Sequence, residues 1–439
     1  RPPMKTTLTA ALPFILSAVT ALAQPTPKGG LAPVKPPDSP LSIGLTKTLS
    51  TQGSTRGTAY VMSNKVVTMG SRTHVTWLDS GSSTMVQTYD LARKEGLAPV
   101  HVGTGYDNHG GPALVADSKG YLHIIFGPHH HPFQYRRSER PNDSSAWTPV
   151  ERFATKGTYP SLVCDGRDTF HLAYRGGDAP FKLLYQRKPR GGDWTVPRVL
   201  VDADVPGGYT QFGNCLYVGR DGVLHLAFHI YDLHPARGKS AGYMRSPDGG
   251  DTWTTADGAA LDLPVKPDSP AIIERGDGLD MRVGNVACDG DGRPYFTVAH
   301  GETDPSHCTL WHFDGARWRS QPLAPVVESL YPGANLGAGT LTFDDEGNLY
   351  IAMSISRDGK WGDPTSEVIL LYSEDRGRTF SVLPISPVDA TVANWLPALE
   401  HFVGHNRVGV PWLLYTHGVP GEGVTPPDLT EIRAVMLQR

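Results

Sequence analysis

Cysteine is scarce in this chain, and the chain carries little net charge. Its 439 residues include 4 cysteines, and 40 basic residues against 44 acidic residues give a formal charge of -4. A balance so close to zero gives no electrostatic reason to expect a nucleic acid or an anionic membrane surface as partner. The cysteines allow at most two disulfides, which suits an oxidising compartment but does not require one.

Long hydrophobic runs are equally rare. The one extended apolar run covers residues 8–21 and is too short to cross a bilayer comfortably. It follows a short basic segment and ends near a small-x-small pattern at Ala23, so residues 1–23, with a short extension before Met4, are predicted to be a signal peptide. Residues 24–41 read as a Pro-rich spacer. We therefore expect a secreted, extracellular protein without a membrane partner.

Several catalytic signatures are also missing. The sequence has no Gly-rich phosphate loop and no dinucleotide fingerprint, nor a helix-period segment long enough to carry one. It has no nucleophile elbow of the kind that Ser-His-Asp hydrolysis uses. Nucleotide-dependent chemistry and serine hydrolysis are therefore not indicated.

Glycine and proline, in contrast, are plentiful. The chain has 49 glycines and 38 prolines, spread along its length between short apolar segments, and 39% of its residues are hydrophobic. Turn residues that alternate with short apolar segments are typical of a globular, turn-rich β protein.

One pattern recurs along the chain: a turn with Asp and Gly, then a short apolar strand that usually starts with His or Tyr. The seven copies start at His74, His123, His171, His225, Tyr295, Tyr350 and Pro411. A unit of about fifty residues that holds several short strands is typical of a propeller blade. The sequence therefore predicts an all-β, seven-bladed β-propeller over residues 42–439. The four repeated histidines share one strand position and are predicted to be structural.

Two further segments, 246–253 and 373–380, fit the pattern S-x-D-x-G-x-T-[WF]. This pattern resembles the Asp-box of sialidase-like propellers. Its Ser and Asp side chains can bond backbone amides in a tight hairpin, and its Gly can take a positive φ. We interpret both segments as structural hairpins without a catalytic role.

Two histidine-rich loops form the most informative stretch. Residues 106–112 read YDNHGGP, residues 127–133 read GPHHHPF, and the predicted strand 120–126 lies between them. A strand at 112–116 running the opposite way would return both loops to one rim. Because imidazoles titrate near neutral pH, a rim with several histidines predicts a proton-transfer site.

This stretch resembles the secreted β-propeller polysaccharide lyases, which include ulvan lyases and L-rhamnose-α-1,4-D-glucuronate lyases. The resemblance is carried by Asp107-Asn108-His109-Gly110-x-Pro112 and by Gly127-Pro128-His129-His130. It implies β-elimination at L-rhamnosyl-α-(1→4)-D-glucuronate linkages, with gum arabic side chains favoured as substrate. An acidic polysaccharide or oligosaccharide would be the partner, and the enzyme would act as a monomer. Ulvan lyase, α-L-rhamnosidase and non-catalytic sugar-binding propeller stay open as alternatives.

The elimination needs a base for the C5 proton, a group that neutralises the uronate carboxylate, and a proton for the departing O4. His109 suits the base, because its ordinary pKa is about 6.5. The resemblance places a catalytic tyrosine at Tyr174, as acid or partner. His129 or His130, together with Arg187, would face the carboxylate, since arginine matches a carboxylate bidentately. Further predicted substrate contacts are Asn108, His229, Tyr231 and Arg282.

The cysteines have their own candidate site. Two thiolates and two imidazoles suit tetrahedral zinc, and the candidate ligands are Cys288, His300, Cys308 and His312. A disulfide or free buried thiols remain the alternative for these cysteines. Catalysis is expected to need no cofactor, although a structural zinc or calcium ion is compatible with the sequence.

Overall fold

The computed structural model describes residues 31–203, 210–232, 239–276, 280–301, 305–360, 362–388, 391–421 and 429–439, and it gives no side-chain account of residues 210–212, 231–232 and 429. The predicted signal peptide and the first part of the spacer lie outside these ranges. The regular structure of the described residues is β-strand, apart from one α-helix, α1 (Ala324–Glu328), and one 3-10 turn, Ser80–Ser82. No helix in the described ranges has the length and apolar character that crossing a membrane requires.

The described residues form thirty strands. The first ten are β1 (Ser42–Gly53), β2 (Val66–Met69), β3 (Arg72–Asp79), β4 (Ser83–Asp90), β5 (Glu95–Gly96), β6 (Val100–Thr104), β7 (Ala113–Ala116), β8 (Leu122–Phe126), β9 (His131–Arg140) and β10 (Asp143–Trp147). The next ten are β11 (Glu151–Cys164), β12 (Phe170–Gly176), β13 (Lys182–Lys188), β14 (Arg198–Val201), β15 (Thr210–Val218), β16 (Leu224–Asp232), β17 (Ser240–Ser246), β18 (Ile272–Arg275), β19 (Met281–Cys288) and β20 (Pro294–His300). The last ten are β21 (His307–Phe313), β22 (Trp318–Pro322), β23 (Asn335–Leu336), β24 (Thr340–Phe343), β25 (Leu349–Ser356), β26 (Glu367–Ser373), β27 (Ser381–Pro384), β28 (Ala393–Leu399), β29 (Trp412–Val419) and β30 (Leu429–Gln438).

The strands form five sheets in which chain neighbours are mostly sheet neighbours. Two sheets have four strands each, β15 to β18 and β19 to β22, and a five-stranded sheet holds β23 to β27. An eight-stranded sheet joins β7 to β14 through the pairing of β9 with β11. A nine-stranded sheet joins both ends of the described chain, because β1 pairs antiparallel with β30 from Ser42 opposite Gln438 to Gly53 opposite Thr430.

Each of the seven repeat segments lies in a strand with antiparallel partners on both sides. The strands concerned are β3, β8, β12, β16, β20, β25 and β29. Several inner strands are buried along their whole length, for example β12 and β20. A strand that is covered on both faces needs apolar residues at successive positions rather than at alternate ones. This burial explains why the repeat reads as a short continuous apolar run.

The repeated histidines are structural, as predicted. Nδ1 of His123 lies 2.7 Å from the Tyr135 hydroxyl, and its Nε2 lies 3.3 Å from Asp117 in the preceding turn. His171 repeats this arrangement with Tyr185 at 2.7 Å and Asp165 at 3.2 Å. Each ring therefore ties a turn carboxylate to the next strand, and burial lowers the pKa of both histidines.

Both Asp-box segments form the predicted hairpins. In the first, the Asp248 carboxylate accepts bonds from the Thr252 backbone N–H at 2.9 Å and the Thr252 hydroxyl at 2.6 Å, and the Ser246 hydroxyl accepts the Gly250 N–H at 2.8 Å. The second repeats these contacts through Asp375. The Ser and Asp side chains thus form hydrogen bonds within their own hairpins, which confirms that the two segments are structural.

Candidate active site

The two histidine loops meet at one rim, as the strand pattern predicts. Strand β7 runs antiparallel to β8, with Ala113 opposite Ile125, so the loop before β7 and the loop after β8 lie at the same end. The backbone N–H of Gly127 donates to the Gly110 carbonyl at 3.1 Å. A Cβ on Gly110 would lie 2.9 Å from the Gly127 Cα, so this close approach requires glycine.

Asp107 holds two imidazoles in place. Its Oδ1 accepts the backbone N–H of His109 at 2.8 Å and lies 3.0 Å from Nδ1 of the same ring. Its Oδ2 lies 2.5 Å from Nδ1 of His129. Burial alone would raise the pKa of Asp107, but the bonds from both histidines hold it well below its ordinary value. Because an ionised carboxylate only accepts, both rings carry a proton on Nδ1.

The two rings stack, and an arginine covers one of them. The ring centroids of His109 and His129 lie 4.0 Å apart. The Arg56 Nη1 contacts Nε2 of His109 and also donates to the Tyr60 hydroxyl at 2.8 Å. Burial lowers the pKa of His109, and the positive charge of Arg56 adds to this effect. The His109 ring is therefore neutral near pH 7 and can accept a proton.

Two tyrosines adjoin this ring. The rings of Tyr60 and Tyr159 meet edge to face at 4.7 Å, and Tyr159 lies 6.3 Å from the ring of His109. Burial, and then the neighbouring Tyr159, raise the pKa of Tyr60 well above its ordinary value. Tyr60 therefore keeps its proton at neutral pH and can donate it.

His130 forms a second layer behind the stacked pair. Its ring lies 4.6 Å from that of His129, and its Nε2 lies 3.2 Å from Nη2 of Arg175. Arg175 is buried and lies between the rings of Tyr159 and Phe181, at 4.7 Å from each. Burial, followed by the charge of Arg175, lowers the pKa of His130 to about 4.

The structure does not bring Tyr174 into this cluster. Its hydroxyl donates to the Gln186 Oε1 at 2.7 Å, its ring meets Phe133 edge to face, and only 1% of it is exposed. Successive residues of a strand point to opposite faces, so Tyr174 faces away from the side on which Arg175 meets His130. The tyrosines that lie next to the histidines are Tyr60 and Tyr159.

Arg187 also lies away from the rim. In the ladder between β12 and β13 it pairs with His171, whereas Arg175 pairs with Leu183. Arg187 is thus four residues along β13 from Leu183, the partner of Arg175, which corresponds to about 13 Å. The Arg187 guanidinium donates to the Gly249 carbonyl at 3.0 Å and forms an ion pair with Asp251 at 2.8 Å. The Arg187 side chain therefore binds to the first Asp-box hairpin and stabilises it.

The remaining predicted contacts are scattered. Asn108 is buried, and its amide donates to the Thr55 hydroxyl at 3.3 Å. His229 is buried and accepts the Val283 backbone N–H at 3.1 Å, and burial lowers its pKa to about 3. Arg282 is half exposed and lies 3.4 Å from Asp280. The side chain of Tyr231 is outside the described part of the chain.

The predicted zinc ligands do not converge. In the ladders of β20, Cys288 pairs with Pro294 whereas Cys308 pairs with Ala299, five positions further along. His300 is bonded to Glu274 at 2.7 Å, and His312 pairs with Tyr295. All four cysteines of the chain are free and buried, so the alternative of buried thiols describes them.

Asp107, His109 and His129 have the spacing of metal ligands, because their ligand atoms lie within 4.8 Å of one another. The guanidinium of Arg56 on His109 opposes this, since it places a fixed positive charge next to the site. Both Nδ1 atoms already bond to the one carboxylate of Asp107. The residues fit proton transfer better than metal binding.

Sequence reasoning missed Arg56, Tyr60, Tyr159 and Arg175. The first two lie on the segment after β1, about fifty residues before the histidine loops, and no pattern links the two regions. Tyr159 has a φ of 58° inside β11, which no local signal indicates. Arg175 could have been found, because it follows Tyr174 on the opposite face of a predicted strand.

Comparisons with known proteins agree with this fold. The model of the BNR repeat-containing family matches residues 51–325. An ulvan lyase from Alteromonas sp. (strain LOR) is 22% identical over 370 residues, which cover 70% of this chain and 72% of that protein. The resemblance to ulvan lyases drawn from the histidine loops is therefore confirmed.

Two solved structures share the architecture. One, described as a new family of polysaccharide lyase, PL25 ulvan lyase, superposes with a TM-score of 0.70 at 16% identity and covers 88% of this chain and 94% of its own. The second, described as a PL25 ulvan lyase bound to -[GlcA(1-4)Rha3S]-, gives a TM-score of 0.70 at 15% identity with the same coverage. At this identity the superpositions establish the fold.

Proposed function

The chain belongs to the BNR repeat-containing family, and from this premise we propose that it is a polysaccharide lyase that cuts L-rhamnosyl-α-(1→4)-D-glucuronate linkages by β-elimination. The single observation that carries the proposal is the contact of Arg56 with a neutral His109 whose ring is fixed by Asp107. It brings a carboxylate-binding group and a proton acceptor together at one point of the rim.

In this account His109 removes the C5 proton. Asp107 fixes the Nδ1–H tautomer, and the lowered pKa keeps the ring unprotonated at neutral pH. The Arg56 N–H that faces Nε2 in the free protein must move aside for this role. A uronate carboxylate provides a reason for that movement, because it offers the guanidinium a stronger, charged acceptor.

Arg56 neutralises the substrate carboxylate. Abstraction of the C5 proton places a second negative charge on the uronate, and a preorganised cation stabilises that charge in the transition state more than in the ground state. The planar guanidinium has five donors. Arg56 can therefore bind both carboxylate oxygens while it stays next to His109 and Tyr60.

Tyr60 delivers the proton to the departing O4. Its raised pKa keeps the phenol protonated, and its hydroxyl is already bonded to Arg56 at 2.8 Å. As the C4–O4 bond breaks, its electron pair stays on O4, which takes the phenolic proton, while the C5–H electrons form the C4–C5 double bond. His109 and Tyr60 then return to their starting states by proton exchange with water.

The relatives support this class of reaction. Ulvan lyases match this chain in sequence and in fold, and one of the structures is described as bound to -[GlcA(1-4)Rha3S]-. That repeat contains the same two kinds of sugar as the proposed linkage. Ulvan itself is accordingly the second candidate substrate.

We also propose the finer architecture and the location. Seven successive groups of antiparallel strands, each centred on one repeat segment, support a seven-bladed propeller closed by the pairing of β1 with β30. The apolar segment before Ala23 supports secretion of the enzyme, which we propose acts as a monomer.

The direct experiment compares two glycans, one capped by rhamnosyl-glucuronate and one built from ulvan repeats. A lyase product absorbs in the ultraviolet through its C4–C5 double bond, whereas a rhamnosidase releases sugar without this absorbance, and a lectin releases nothing. We expect an unsaturated product from the first glycan. Release of rhamnose without absorbance would refute the elimination mechanism.

A further inference from the structure

A cluster of potential metal ligands lies at the end of β11 that is remote from the histidine loops. Cys164 is the last residue of β11, Asp168 lies in the turn before β12, and His405 comes from the segment between β28 and β29. The Cys164 Sγ, a carboxylate oxygen of Asp168 and a ring nitrogen of His405 all lie within 4.8 Å of one another. Two segments that are more than 200 residues apart in sequence thus bring three different ligand types to one point.

The backbone holds these segments close together. The Cys164 N–H donates to the Val403 carbonyl at 2.9 Å. A Cβ at Gly404 would lie 1.8 Å from the Cys164 carbonyl oxygen, and Gly404 has a φ of 131°, so only glycine fits there. This close approach sets His405 next to the thiol by backbone geometry rather than by a flexible surface side chain.

The charges around the cluster favour a cation. Asp165, Asp168 and Asp117 lie near the Cys164 thiol, and the first two are buried. His405 Nε2 lies 3.3 Å from the Asp168 carboxylate and 3.0 Å from the Asp165 carbonyl. Two arginine side chains also flank the cluster, but they lie farther from the carboxylates than the His405 ring does, and they are more exposed.

Those cations are the guanidinium groups of Arg167, 3.7 Å from Asp165, and Arg190, 3.7 Å from Asp168. The Ser118 backbone N–H and hydroxyl also donate to Asp168, at 2.8 and 2.7 Å. These two bonds fix the orientation of the carboxylate, as an outer-shell partner does for a metal ligand.

We propose that Cys164, Asp168 and His405 bind a zinc ion that ties the segment between β28 and β29 to the turn between β11 and β12. Thiolate, imidazole and carboxylate are all zinc ligands, and the thiolate disfavours magnesium and calcium. The His405–Asp168 separation of 3.3 Å is close to the spacing of two ligands in a tetrahedral site. A water from the cavity lined by Asp165 and His405 would complete the coordination. On binding, the Cys164 thiol releases its proton to solvent, and the neutral His405 ring carries its one proton on Nδ1 so that Nε2 can bind the ion.

The test uses the full chain loaded with zinc chloride and dialysed, with metal content measured by elemental analysis. We expect about one zinc per chain, and we expect Cys164→Ser and His405→Gln each to weaken zinc affinity at least about tenfold. Cys215→Ser is the matched control, because it removes another buried free thiol. Cys288→Ser tests the zinc site predicted from sequence and should leave zinc binding intact.

A spectroscopic arm does not depend on the folding of a variant. Cobalt(II) bound to the wild-type chain in place of zinc should show a thiolate-to-metal charge-transfer band. Its absence from the wild-type protein, failure of the wild-type chain to retain zinc, or loss of zinc in Cys288→Ser rather than in Cys164→Ser would each overturn the proposal.

Discussion

Arg56 and His109 are in direct contact although 53 residues separate them in the chain: the guanidinium Nη1 faces the imidazole Nε2. The contact joins the segment after β1 to the first histidine loop. It has two consequences for catalysis: it adds to the effect of burial, which lowers the pKa of the ring, and it places a carboxylate-binding group beside the ring.

Replacing Arg56 tests the second consequence. Arg56→Ala removes a carboxylate contact that forms in the ground state and strengthens in the transition state, so we expect KM to rise and kcat to fall. Arg56→Lys should restore only part of the rate, because a lysine offers a single point charge. Steady-state kinetics on a rhamnosyl-glucuronate glycan measure both effects.

Arg187→Ala separates the structure-based assignment from the sequence-based one. The structure predicts little change in KM, because Arg187 is engaged with the first Asp-box hairpin. A rise in KM in this variant with normal kinetics in Arg56→Ala would assign the carboxylate contact to Arg187 instead.

The proton donor is tested with Tyr60→Phe, which removes the phenolic hydroxyl and keeps the aromatic ring. We expect kcat to fall by about 10²-fold or more with KM nearly unchanged, because the proton is needed only in the transition state. Tyr174→Phe should leave kcat near normal, because the Tyr174 hydroxyl is buried and bonded to Gln186, away from the histidines. The reverse outcome would return the role to Tyr174.

Tyr106 is expected to bind a sugar ring. Its ring stacks on His131 with a centroid separation of 3.5 Å, yet 52% of the residue is exposed, at the start of the first histidine loop. An exposed aromatic face beside the site suits the apolar face of a sugar. Tyr106→Ala should raise KM several-fold with kcat largely kept, whereas Tyr121→Ala, at the other end of β8, should change neither value.

Stability should depend on pH through buried histidines. Burial lowers the pKa of His74, His225 and His401 to about 4 from an ordinary value of 6.5. The unfolded chain therefore binds more protons than the folded chain between these values, and stability falls as the pH drops from about 6.5 to 4. Each buried ring contributes up to roughly 3 kcal/mol at neutral pH, at 1.36 kcal/mol per pKa unit.

Urea unfolding at pH 7 and at pH 4.5 measures this loss. His225→Phe should reduce the difference between the two pH values, although it also loses the bond between His225 and the Tyr243 hydroxyl. Equal unfolding free energies for the wild-type chain at both pH values would contradict the assignment of these histidines as buried and neutral.

The sequence predicted local features well and distant contacts poorly. The seven repeat strands, the two Asp-box hairpins and the shared rim of the histidine loops all follow from turn chemistry and strand alternation, which act over a few residues. Arg56 contacts His109 from a segment 53 positions earlier in the chain, and no spacing in the sequence encodes this contact. Cys288 and Cys308 show the opposite error: similar residue types suggested a site that the strand register keeps apart.

The most direct test of the central claim follows ultraviolet absorbance from a rhamnosyl-glucuronate-capped glycan with the wild-type chain and His109→Ala. We expect an unsaturated uronate product from the wild type and a kcat at least about 10²-fold lower in the variant, with substrate binding largely kept. A glycan whose uronate carboxyl has been reduced to an alcohol should not react, because its C5 proton is no longer acidic. A His109→Ala variant with a near-normal rate would contradict the account.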